Sequence, residues 1–442
     1  MAEATFTFPR NFYWGTASAA YQVEGGNTNS MWWIWEREGH VNPGDSAAIA
    51  CDWWGGRAEE DFDRMALTHQ NMHRLSLEWS RIEPDPAFWD EDALAKYRGW
   101  MQALRERGIT PMVTLHHFSD PIWLAEKGGW ENDETPRLFE RYVRKVARVL
   151  GDLVEFWCTI NEPNVYVSLG YIEKGFPPGK ENFNAGFRAY ANLLRGHALA
   201  YQTLKSLRPG SSVGWAHHVR GFSPARPDSR LDTWVAGQQD RLFNRLWPEA
   251  LRTGRMMMPV GPAVHLREVK DTFDWFGINY FSRDLVSFDL RRPRRLFGMQ
   301  SYGPDDVLSD SGFIALAPEP LFDFLRWARG YGKPIFITEN GVCDQADTLR
   351  PRYLLEHLRQ VWRAVNFNWQ VLGYLHWTLV DNFEWERGWT QRFGLWELDL
   401  ETGERHKRRS AELFAEVCHE SALSSDMVRR YAPEVYDRLF PG

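Results

Sequence analysis

Short apolar runs alternate along this chain with longer stretches whose apolar residues recur at helical spacing. Eight runs have the length and the β-branched or aromatic content of buried strands, at residues 12–17, 72–79, 111–118, 154–161, 212–219, 272–281, 334–339 and 372–379. Between the second and third, Leu94, Tyr97, Met101 and Leu104 recur at steps of three, four and three, after Asp90 and before Gly108. That spacing predicts an amphipathic helix with its own start and stop signals. Leu354, Leu358, Val361 and Val365 repeat the pattern before the eighth run. Strands alternating with helices predict parallel strands joined by crossovers, and eight such units close into a (β/α)8 TIM barrel. In that fold the chemistry belongs at the C-terminal ends of the strands.

At 442 residues the chain exceeds the usual single-domain size, yet no Ser/Gly/Pro-rich linker, charge block or internal repeat divides it. One barrel domain over residues 1–442, enlarged by long βα loops such as residues 284–309, is the expected organisation. The formal charge of −7 excludes a phosphate-neutralising nucleic-acid surface and leaves a small-molecule role open. Met1-Ala2-Glu3-Ala4-Thr5 has neither a basic nor an apolar leader region, and no apolar run approaches the ~20 residues that span a bilayer. A cytoplasmic protein without membrane contacts is expected, and nothing in the sequence specifies an oligomeric state. Cys51, Cys158, Cys343 and Cys418 lack the paired spacing of a disulfide framework or zinc site. The 23 tryptophans exceed what packing an ordinary α/β enzyme asks for; flat indoles suit the apolar faces of sugar rings, although most must serve the core.

Two carboxylates stand where predicted strands end: Glu162 in Thr159-Ile160-Asn161-Glu162-Pro163, and Glu339 in Ile337-Thr338-Glu339-Asn340-Gly341. A lone Glu at a strand end is ordinarily a solvated surface residue. These two are bracketed by Pro163, which stiffens the following turn, and by Asn340-Gly341, which allows a sharp exit. Across a barrel mouth they form the pair that glycoside cleavage needs, one carboxyl protonating the leaving oxygen while the other attacks the sugar carbon or activates water.

Beyond these two motifs, Phe8-Pro9-Arg10-Asn11-Phe12-Tyr13-Trp14-Gly15-Thr16-Ala17, Ala20-Tyr21-Gln22-Val23-Glu24-Gly25, Arg74-Leu75-Ser76-Leu77-Glu78-Trp79-Ser80-Arg81-Ile82, Thr114-Leu115-His116-His117-Phe118 and Trp377-Thr378-Leu379-Val380-Asp381-Asn382-Phe383-Glu384-Trp385 fall in order from Phe8 to about Leu400. In this series the chain resembles the family 1 glycoside hydrolases, whose motifs read T-x-N-E-P and T-E-N-G. The resemblance implies a retaining β-glycosidase without a cofactor, with Glu339 as nucleophile and Glu162 as acid and then base. Its substrate would be a small β-glycoside or oligosaccharide, most readily a β-glucoside, with β-galactosides and β-fucosides tolerated. It further implies that Gln22 and Glu384 grip the outer hydroxyls, Asn161 the 2-hydroxyl, and His117 and Trp385 further hydroxyls, with Trp377 as the platform beneath the ring. Arg74 and Asn279 are the implied supports of Glu339. The two roles require Glu162 to hold a proton near neutrality and Glu339 to be kept ionised.

Three positions depart from the family pattern. Glu384 replaces the small hydroxyl residue of the phosphoglycoside-cleaving branch, so free glycosides are expected. Phe118 stands where Trp is usual, and Phe281 where a tyrosine hydroxyl usually contacts the nucleophile. Two rival readings are a non-catalytic carbohydrate-binding relative, which the presence of both Glu residues opposes, and a transglycosidase working through the same intermediate. The pairs His116-His117 and His217-His218 suggest a metal hydrolase, but strand alternation turns only one imidazole of each pair inward and no further ligand motif accompanies them.

Overall fold

The computed structural model describes residues 4–258 and 262–441; Met1, Ala2 and Glu3, read above for a leader, lie outside the described residues. The eight predicted strands form β1 (Tyr13–Ala17), β2 (Met72–Ser76), β3 (Thr110–His116), β4 (Phe156–Asn161), β5 (Ser212–Pro224), β6 (Trp275–Phe288), β7 (Ile335–Asn340) and β8 (Val371–His376). Each pairs in parallel with the next, β8 pairs with β1, and the β5–β6 ladder completes the ring. Helices α1 (Ala58–Leu67), α2 (Glu91–Glu106), α3 (Thr135–Leu150), α4 (Phe183–Leu207), α5 (Leu246–Thr253), α6 (Glu319–Arg329), α7 (Arg350–Asn366) and α8 (Arg409–Glu420) follow the strands in turn. Among the described residues no helix is long and apolar enough to cross a membrane.

Local sequence explains where the helices begin. Asp90 caps α2 by accepting the Ala93 N–H at 2.8 Å, and Leu94, Tyr97, Met101 and Leu104 are all buried. Asp344 accepts the Leu349 and Arg350 N–H groups at 2.7 and 2.9 Å, while Pro351 occupies the first turn of α7, where its missing N–H costs nothing.

The bottom of the barrel is closed by aromatic rings from the strand starts. Tyr13, Phe336 and Trp275 meet Phe156 or one another edge-on, with centroids 5.4–5.5 Å apart. Gly214 of β5 admits this packing, since a Cβ there would lie 2.4 Å from the Trp275 indole. Above the aromatic floor the interior turns polar, and that layer builds the site.

The two longest strands differ from their expected ends. β5 and β6 run on past the barrel rim, paired from Gly221↔Arg283 to Pro224↔Val286. A further strand, β9 (Gly298–Ser301), pairs antiparallel with the end of β6. The expected loop at residues 284–309 therefore begins and is crossed by short pieces of sheet, 284–288 and Gly298–Ser301, with irregular chain between and after them.

A buried ion pair ties the loop after β8 to the C-terminal segment. Arg408 donates to both oxygens of Asp381 at 2.8 and 2.9 Å, and Asp381 also accepts the Gly394 N–H at 2.8 Å. Removing one partner of such a pair strands a buried charge. Arg408→Met should lower unfolding stability by about 3–5 kcal/mol, read by chemical denaturation, with Asp381→Asn/Arg408→Met recovering part of the loss.

Candidate active site

Glu162 and Glu339 emerge at irregularities in the ladder. The β4–β5 register slips between Cys158 and Asn161, and the β6–β7 register slips between Ile337 and Glu339. Such bulges re-aim side chains at a barrel rim. Glu162 has φ 43 and ψ 59, a left-handed conformation that costs a non-glycine residue about 1–2 kcal/mol. Phe118 (φ 65) and Trp385 (φ 51) share this strain and line the same cavity, so three turns at the mouth are held by their surroundings rather than by local preference. Gly341 is required by proximity: a Cβ there would fall 2.0 Å from the Trp377 carbonyl oxygen.

Arg74 organises the pair. Its guanidinium, fully buried, donates to Glu339 Oε1 at 2.5 Å, to Asn161 Oδ1 at 2.6 Å and to Thr114 Oγ1 at 2.9 Å. Asn279 is the ladder neighbour of Glu339, as expected, but its Nδ2 donates across the mouth to Glu162 Oε1 at 2.8 Å and to Asn161 Oδ1 at 3.1 Å. Thr338 fixes that amide by donating to its Oδ1 at 2.6 Å. His218 Nδ1–H gives Glu162 Oε1 a second donor at 3.0 Å.

These partners and burial act in opposite directions on the two carboxyls. Burial pushes the Glu339 carboxyl up to about 8 against the pull of the Arg74 cation, and the charge on Glu162 adds to the rise. Burial also pushes Glu162 up, but His218 and the Asn279 amide outweigh it and hold this carboxyl below the ordinary range. Each carboxylate disfavours the charge of the other, so the two titrate as a coupled pair that holds its last proton to a higher pH than a lone carboxyl would.

The sugar-binding candidates surround this pair. Glu162, Glu339, His117, Asn161, Trp377, Glu384 and Trp385 all line one cavity of about 370 Å³. His117 accepts the Asn161 amide on Nε2 at 2.9 Å, and its buried Nδ1 has no partner. Burial holds the ring neutral, so Nδ1 carries a proton available to a hydroxyl. Gln22 donates to the Phe383 carbonyl at 2.6 Å and to Glu384 at 3.2 Å, leaving its buried Oε1 unpartnered. Burial, reinforced by Glu386, pushes the Glu384 carboxyl up to about 8. Trp377 and Trp385 lie 6.1 and 5.9 Å from the His117 ring, inclined to it by 30° and 27°.

Both aromatic departures are accommodated. Phe118 packs against Trp385 and Phe176 at 5.3 Å, filling the wall with neighbouring rings. Phe281 stacks on His218 at 5.7 Å, and the Arg74 guanidinium is the donor that Glu339 retains. Of the two histidine pairs, His116 faces Asp120 at 3.0 Å and His217 the Asn244 carbonyl at 2.8 Å, both away from the cavity. His218 is the site residue that sequence reasoning passed over; its place at the mouth end of the fifth strand was the available signal.

A closed barrel with two buried carboxyls facing one cavity at its C-terminal rim, one on a guanidinium and the other on an amide and an imidazole, defines a glycoside-cleaving barrel enzyme. The family model for glycosyl hydrolase family 1 matches residues 4–422, and the chain belongs to that family. The chain is 31% identical to a β-galactosidase of Pyrococcus woesei, over 93% of this chain and 96% of that one. It is 30% identical to the human cytosolic β-glucosidase, over 95% and 100%. Among solved structures, a β-glycosidase from Pyrococcus horikoshii superposes with a TM-score of 0.90 at 33% identity, covering 97% and 98% of the two chains. A family 1 enzyme from Thermotoga maritima, complexed with a cyclophellitol analogue, superposes equally well at 29% identity, covering 95% and 99%.

The pair's single proton dictates a bell-shaped pH profile. Activity should fall as pH rises through about 8, where the proton is lost, and should fall again in acid as the second carboxyl protonates. His218→Leu removes a donor that favours ionised Glu162, so the acid limb of kcat/KM should move upward by about one pH unit. An unmoved or lowered acid limb would show that His218 does not act on Glu162.

Proposed function

We propose that this chain is a retaining β-glycosidase that removes terminal non-reducing β-D-glucosyl residues, tolerating β-galactosides and β-fucosides, by double displacement through a covalent glycosyl-enzyme. The observation that carries this reading is the asymmetric partnering of two buried carboxyls on one cavity. Glu339, against the Arg74 cation, is suited to carry negative charge and attack the anomeric carbon. Glu162 is suited to protonate the leaving oxygen and later to take a proton from water.

The reactive form places the pair's proton on Glu162 and the charge on Glu339. A glycosidic oxygen entering beside Glu162 can only accept a hydrogen bond, so its arrival favours the protonated form of that carboxyl. As Glu339 attacks, the sugar carbon gains oxocarbenium character and the 2-hydroxyl contact to Asn161 strengthens, with Arg74 and Asn279 fixing its Oδ1. The unpartnered Gln22 Oε1 and His117 Nδ1–H offer an acceptor and a donor to the outer hydroxyls. A 6-phosphate would have to be buried against both Glu384 and Glu386, which favours free glycosides. The active unit is one barrel domain over residues 1–442 that needs no cofactor, and a cytoplasmic setting accords with the human cytosolic relative.

Azide separates the two roles. Glu339→Gly should lose nearly all turnover and regain it with azide, giving the α-glycosyl azide; a β-azide would remove Glu339 from the nucleophile's role. Glu162→Ala should slow substrates with poor leaving groups far more than activated aryl glycosides, and azide should then yield the β-product. Uniform loss across leaving groups would point away from an acid at Glu162.

A further inference from the structure

Glu162 keeps its left-handed backbone against local preference, so contacts around the turn must hold it there. Its own N–H donates to the Ala216 carbonyl at 2.8 Å, and the chain then enters a one-turn helix, Pro163–Val167, whose Tyr166 N–H donates back to the Glu162 carbonyl at 3.0 Å. We propose that Tyr166 is a positioning residue for the acid: its hydroxyl, bonded to the buried carboxylate of Asp120, ties this helix to the segment that follows β3 and so sets where the Glu162 carboxyl points. The proposal rests on the glycosidase reading above.

The contact is built to stay fixed. Tyr166 donates to Asp120 Oδ2 at 3.0 Å, and both residues are buried. Trp130 Nε1–H donates to the other carboxyl oxygen at 3.2 Å, and His116 Nε2 lies 3.0 Å from that same oxygen, so the acceptor cannot swing away. Burial and the Asp120 carboxylate push the Tyr166 phenol well above its usual range, and it remains a donor. Hydrogen bonds from O–H to a carboxylate are about twice as strong as those between neutral groups.

Topology gives the contact its leverage. The strand that ends in the acid motif, β4, lies between β3 and β5 in the barrel. On the β5 side Asn164 donates from Nδ2 to the carbonyls of His218 and Phe243, at 2.8 and 3.1 Å, while Tyr166 reaches the β3 side. The helix is thus held from both neighbours. With one anchor lost it shifts toward the other, and a displacement of about 1 Å at a reacting group can cost up to about 100-fold in rate. Neither Tyr166 nor Asp120 lines the catalytic cavity, so their influence passes through the turns they hold.

The test is kcat/KM over aryl β-glucosides from dinitrophenyl to phenyl, with cellobiose as the poorest leaving group. Tyr166→Phe removes the hydroxyl but keeps the ring, which lies 6.5 Å from that of Phe118. It should lose about tenfold on phenyl glucoside and cellobiose, and less than about twofold on dinitrophenyl glucoside, whose leaving group departs without a proton. Asp120→Asn retains a partner for the hydroxyl and should keep the natural ratio of phenyl to dinitrophenyl rates. Asp120→Leu should reproduce the Tyr166→Phe ratio, and this pair of variants decides the matter should Tyr166→Phe fail to fold. In a Glu162→Ala background Tyr166→Phe should leave the ratio unchanged, because the acid it positions is gone. A uniform loss across leaving groups, an unchanged profile, or a ratio that still moves without Glu162 would overturn the role of Tyr166 alone. Hydrolysis of none of the glycosides by the natural chain would overturn the glycosidase reading and this role together.

Discussion

A fully buried guanidinium at the centre of the barrel mouth is the constraint around which the site is built. Desolvating a cation costs several kcal/mol, about enough to unfold a marginal domain unless its donors are matched. Arg74, on β2, is matched from three other strands: Glu339 and the Thr338 carbonyl on β7, Asn161 on β4, and Thr114 on β3. The charge that steadies a nucleophile therefore also holds the strands in register about it. Function and folding lean on one side chain, and the aromatic floor below supplies the dry surroundings in which that charge acts strongly.

The same logic explains why the two carboxyls are not equivalent. Both are buried and each repels the other's charge, so geometry alone makes them a pair without assigning roles. The difference lies in their second partners: a permanent cation on Glu339, an amide and an imidazole on Glu162. Arg74 cannot leave, being locked by four acceptors. His218 lines the catalytic cavity and the cavity beside it and rests against Glu162.

Much of the fold was legible because strand periodicity and helix caps are local signals. All eight strands and the helices predicted at Leu94–Leu104 and Leu354–Val365 formed, since Asp90 and Pro351 mark their starts and the apolar spacing leaves one way to bury a face. The extensions of β5 and β6 were not legible: Gly221, Pro224 and the charged residues 283–284 look like loop, and they become strand only because each supplies the other's ladder partners. The α/β barrel, the strand-end carboxylates and the candidate sugar-binding residues were determined by sequence.

What tertiary structure decided was which donor faces which acceptor. Asn279 could have served either glutamate, and it serves Glu162 because Thr338 fixes its carbonyl end and turns the amide nitrogen across the mouth. His218 carried only an ambiguous pairing with His217 in the sequence, and became a partner of Glu162 when β5 placed its imidazole against that carboxyl. The opposing pulls on the two carboxyls, burial against the Arg74 cation at Glu339 and burial against His218 and Asn279 at Glu162, followed from these contacts. Residue type and strand position are one-dimensional facts, whereas a pKa is set by burial and by charges and donors within a few ångströms, most of them distant in the chain.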